Sequence, residues 1–110
     1  MTDVGTNKLL ENDDIVLWEF LLSPDEETPV HTHERSFVSY VVDGSTLQVC
    51  DSDGNKVAEV DVPSGDVIDF CLDGDELAAR NIHGLRIPAS HSARNAGNSN
   101  YREIFVEFKR

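Results

Sequence analysis

Val30-His31-Thr32-His33 sets two imidazoles at i and i+2. In an extended strand those positions project from one face, so both rings can reach one ion, and imidazole suits Fe, Zn, Cu and Ni. Two ligands hold a metal loosely, and this chemistry needs a further donor from elsewhere in the chain. Only His83 and His91 remain to supply an imidazole. Taken alone, the pair also fits two exposed residues on a surface strand. Other chemistries lack their residues: there is no Gly-rich phosphate cradle, no Cys-x-x-Cys pair and no serine-nucleophile elbow. Cys50 and Cys71 each sit inside a strand-like run and read as reduced, small apolar residues rather than a disulfide.

The elements that must carry the histidines are strands. Two-residue alternation recurs from end to end, broken by Gly, Pro, Asp and Asn, and no long stretch keeps helical spacing. The pattern predicts strands over 15–22, 36–42, 46–50, 56–62, 66–72, 85–87, 90–94 and 102–108. Asp53-Gly54 and Pro63-Ser64-Gly65-Asp66 supply tight reversals between them. The stretch 73–80 reads as a loop excursion with room for one helical turn, because Leu, Ala and Arg favour helix and its first residues are acidic. Residues 1–11 read as a flexible N-terminal arm and 12–110 as one domain, since halves of so short a chain could not each bury a core. Many short strands in this length mean a sandwich or a closed barrel.

Twenty-one acidic against nine basic side chains give a net charge of −12. That field repels phosphate backbones and anionic head groups, so neither nucleic acid nor membrane is an expected partner. No apolar run approaches the ~20 residues of a membrane span, and the first residues lack the basic-then-apolar pattern of a signal peptide. The expected location is the cytoplasm.

The order of features around the histidines resembles the two motifs of the cupin family. In the first motif a His-x-His pair is followed by a glutamate and, seven residues later, a glycine; in the second a histidine precedes an asparagine by four. His31, His33 and Gly44 match the first motif, and His91 and Asn95 the second. The resemblance spans roughly residues 12–109. It implies an all-β, six- to eight-stranded jelly-roll barrel with His31, His33 and His91 aimed inward at one divalent metal ion. The layout, with Trp18-Glu19-Phe20 before the first turn and a closing Ile104-Phe105-Val106-Glu107-Phe108 strand, is similar to small stand-alone bacterial cupins, some of them associated with β-alanine degradation.

Two departures stand out. Seven residues before Gly44 the chain has Phe37, so the usual glutamate ligand is missing, and the connection from Gly65 to Pro88 is long, which makes 72–86 look like an insertion. A three-histidine set brings no ligand charge, leaves the ion more Lewis-acidic and opens positions for water or substrate. This resembles the three-histidine iron sites of cupin thiol dioxygenases. It implies Fe first, with Mn, Ni or Zn as alternatives, and an enzyme acting on a small organic acid or thiol. The alternative is a non-catalytic barrel that binds a small ligand, with its metal structural or absent. Either form is expected as a homodimer.

Phe37, in the glutamate's place, should face inward and narrow the cavity. Arg86 is the candidate for gripping a substrate carboxylate through two hydrogen bonds. Glu34 neighbours His33 and should point to the opposite face. Asp69 and Cys71 share a face and read as structural or solvent-facing, His83 as a surface residue, and Asn95, before Ala96-Gly97, as a turn former.

Overall fold

The computed structural model describes residues 3–110. Eleven strands and no helix occur among the described residues: β1 (Asn7–Glu11), β2 (Ile15–Leu22), β3 (His31–Thr32), β4 (Phe37–Asp43), β5 (Ser45–Asp51), β6 (Lys56–Val62), β7 (Val67–Asp73), β8 (Glu76–Ala79), β9 (Arg86–Pro88), β10 (Ser90–Asn95) and β11 (Tyr101–Phe108). They form a seven-stranded sheet in the order β1-β2-β11-β4-β7-β8-β9 and a four-stranded sheet in the order β3-β10-β5-β6. Every pairing is antiparallel.

Alternation decides what lies inside. Val16, Trp18, Phe20 and Leu22 of β2 are buried, as are Phe37, Ser39 and Val41 of β4, Leu47 and Val49 of β5, and Ile68 and Phe70 of β7. Each inner residue faces another across the ladder: Phe105 stands opposite Trp18 on one side and Ser39 on the other, and Phe37 opposite Phe70. The turns hold this register. Gly54 adopts a φ of 87° between β5 and β6, a conformation that L side chains rarely take. Asn12 closes the β1–β2 reversal by accepting hydrogen bonds from the backbone of Asp14 and Ile15.

Three sequence expectations change. Asn7–Glu11 are not an arm but an edge strand paired with β2; every side chain on it is exposed, so burial gave no periodic signal. Met1 and Thr2, also assigned to that arm, lie outside the described residues. The stretch read as a loop with a helical turn is β8, hairpinned onto β7 with Leu77 fully buried: sheet pairing and one core side chain override the helix preference of Leu and Ala. With β1 and the short β3, it makes eleven strands where six to eight were expected. The exposed edge at β6 carries Lys56, Glu59 and Asp61, charges that discourage further strand pairing.

Candidate metal centre

The short strand β3 exists to hold His31. It pairs with β10 so that His31 stands directly opposite His91, and the Ala89 carbonyl accepts a further bond from the His33 backbone N–H at 2.9 Å. With Thr32 turned outward to Ser90, His31 and His33 point into the barrel. All three histidines are buried. Their ring centroids are 4.7 Å apart for His31 and His91 and 5.1 Å for each of the other two pairs, and ligand nitrogens from the three lie within 4.8 Å of one another.

Two prolines set the tautomers. His31 Nδ1 donates to the Pro29 carbonyl at 3.1 Å and His91 Nδ1 to the Pro88 carbonyl at 2.6 Å. A carbonyl only accepts, so Nδ1 carries the proton and Nε2 keeps its lone pair for a ligand role. His33 Nδ1 is buried without any hydrogen-bond partner. Desolvation lowers the pKa of all three rings, to about 4 for His91 and, with the neighbouring histidines adding repulsion, to about 2 for His33. Three neutral imidazoles with free lone pairs and an orphaned buried nitrogen fit a divalent ion with nitrogen preference.

Around them the cavity is small and largely apolar, about 90 Å³, below the ~300 Å³ at which drug-sized sites begin. Phe37 stacks on His33 with centroids 4.6 Å apart, inside the barrel as the sequence implied. Glu34 is exposed and His83 is exposed. Asp69 pairs with Arg80 on the outer face, and Cys71 bonds the Leu72 carbonyl. Arg86 is placed where it cannot grip a cavity ligand. Its neighbours Leu85 and Ile87 line the cavity while Arg86 points outward and donates to Asp73 and Glu76. On β9 the alternation that buries Ile87 exposes Arg86.

Asn95 is structural in full. It is 0% exposed, its Oδ1 accepts from Ser45 Oγ and Gly97 N, and its Nδ2 donates to the carbonyls of Leu22 and Ser99. Sequence reasoning missed Glu103, which lines the cavity with Ser39 and Tyr101. The signal was there: counting by twos from Phe105 puts 101, 103 and 107 on the same face.

No family model and no curated protein matches the chain. Solved structures do. A cupin domain from Bordetella pertussis is 17% identical with a TM-score of 0.68, covering 100% of this chain and 99% of its own. A double-stranded β-helix protein from Klebsiella pneumoniae is 17% identical with a TM-score of 0.57 over 98% of this chain and 80% of its own. The polyketide cyclase RemF from Streptomyces resistomycificus is 24% identical with a TM-score of 0.54, over 94% of this chain and 63% of its own. Two antiparallel sheets around an inner cavity, and these likenesses, define the class by architecture: the chain has the double-stranded β-helix fold of cupin domains. Within that fold the barrel carries a His31, His33 and His91 cluster able to hold a metal ion.

Proposed function

We propose that the protein is a metal-dependent enzyme in which His31, His33 and His91 hold one divalent ion, Fe first among the candidates, and act on a small organic acid or thiol. The observation that carries this reading is the donor set itself: three buried, neutral imidazoles converge with no carboxylate among them. Such an ion would supply Lewis acidity and open positions for an anionic or thiolate ligand. The chain's own residues do the rest. Pro29 and Pro88 orient two of the rings, and Phe37 occupies the glutamate's position and shields His33 from water. The cavity volume confines the ligand to a few heavy atoms. The charge of −12 disfavours nucleic acid and anionic membranes as partners. No helix among the described residues is long and apolar enough to cross a membrane. In this reading the protein works in the cytoplasm as a homodimer.

The apolar lining supports one competitor, a barrel that binds a small ligand without turnover. Oxygen uptake by the Fe(II)-loaded protein, measured across a panel of small thiols and carboxylic acids, separates the two. Uptake that depends on both metal and one member of the panel is the expected result. A loaded protein that binds panel members and leaves every one unchanged would establish the binding barrel instead.

A further inference from the structure

We propose that Glu103 and Ser39 form a second binding position inside the histidine-lined cavity, one that takes the ammonium group of a small amine. The position itself needs no metal, but as a statement about the ligand's class it rests on the proposed small-molecule site in the barrel.

Glu107 and Glu103 alternate on the inner face of β11 and are provided for differently. Glu107 accepts a hydrogen bond from Trp18 Nε1 at 2.7 Å and has the Arg35 guanidinium at 3.8 Å. Glu103 faces Phe20 on β2 and Val41 on β4, and neither can donate. Around it the polar groups are the hydroxyls of Tyr101 on its own strand and Ser39 on β4, β2 offers no titratable group on its inner face, and the three histidines share the same cavity. Among the described residues no lysine or arginine lines that cavity. Burial pushes the Glu103 carboxyl up to about 7 against the pull of the two hydroxyls, so a proton does for Glu103 what Trp18 and Arg35 do for Glu107.

Ser39 stands beside Glu103. It is 1% exposed and lines the cavity, and although it lies close enough to pull on the Glu103 carboxyl, its Oγ makes no bond of good hydrogen-bond geometry. Buried hydroxyls are normally paired. An ammonium carries three donors and no acceptor, which matches a carboxylate lacking a cation beside a hydroxyl with no well-formed bond. A neighbouring cavity of about 260 Å³ shares Val4, Phe20 and His31 with the first, and among the described residues Asp3, Glu26 and Glu27 line it with no lysine or arginine. Carboxylates of one sign beside a site raise the local concentration of the opposite ion.

The probe is n-propylammonium chloride, titrated into protein carrying carbon-13 at its glutamate carboxyls, with propan-1-ol and propionate as controls of matching size. The amine should shift the Glu103 resonance saturably and bind at least about tenfold tighter than either control, the least that a lost charge-assisted hydrogen bond is worth. Glu103→Gln should abolish that preference while the variant stays folded and its metal content is unchanged. Equal binding of all three probes, or a Glu103 signal unmoved by excess amine, overturns the proposal. Loss of metal from Glu103→Gln overturns it too, by making Glu103 part of the metal centre. If that variant does not fold, the wild-type Glu103 signal decides alone. Elemental analysis of the same samples reads the metal centre separately, so failure there leaves the amine result standing on its own.

Discussion

His91 and Asn95 stand four residues apart on the inner face of β10, both buried, and the fold treats them in opposite ways. Asn95 has both donors and both acceptor positions engaged, tying β10 to the end of β2, the start of β5 and the loop before β11. His91 has one bond, to the Pro88 carbonyl, and the neighbouring His33 has an orphaned Nδ1. A fully satisfied buried polar group builds structure, whereas a group of partly satisfied ones, held neutral and close together, is a site for something the chain does not itself contain.

The sharpest break of that comparison is at Asn95. Asn95→Ala strands several buried partners at once and should cost about 3 kcal/mol or more, seen as a fall in Tm of the same size with and without added metal. Metal is the converse. Saturating Fe(II) or Zn(II) at about a hundred times its Kd should stabilise the wild type by roughly 2.7 kcal/mol, and His31→Ala should lose that gain in a thermal melt while the metal-free protein still folds. An unchanged gain would detach His31 from the ion.

Acidity sharpens the contrast further. The three histidines are held below their ordinary 6.5, so the unfolded chain takes up protons that the native barrel refuses, and stability falls as pH drops from 6.5 toward about 4, where His91 begins to protonate in the native state. Glu103 works the other way: its carboxyl is raised from 4.5 to about 7, so it withdraws stability as pH rises through that window. Urea midpoints of the metal-free protein from pH 4.5 to 6.5 should therefore rise with pH, and more steeply in Glu103→Gln. The smallest effect is at Arg86. Its pairs with Asp73 and Glu76 lie at the surface, where ion pairs contribute about 0–1 kcal/mol. Arg86→Ala should leave Tm within that range and metal content unchanged; a loss of metal would return Arg86 to the site.

The barrel was legible in the sequence because alternation of the kind in Val16, Trp18, Phe20 and Leu22 is what a strand buried on one face must show. His31 and His33 were legible from spacing, and His91 from motif order. What escaped was whatever lacked periodic burial or had a competing local preference. β1 is exposed on every residue, and β8 is written in helix-forming residues that the sheet recruits. Arg86 was misplaced for a different reason: nearness to His91 along the chain says nothing about face, and β9 turns Arg86 outward when it buries Ile87. Glu103 was overlooked because an acidic residue in a closing strand reads as surface until its alternation with Tyr101 and Phe105 is counted.

The most direct test of the three-histidine centre is the metal content of the purified protein by elemental analysis, beside His31→Ala and His91→Ala. One ion per chain, lost in both variants with the fold retained, is the result that the buried neutral cluster requires. No ion, and none taken up when Fe, Mn, Ni or Zn is added, would contradict it and leave a barrel whose histidines serve a metal-free ligand.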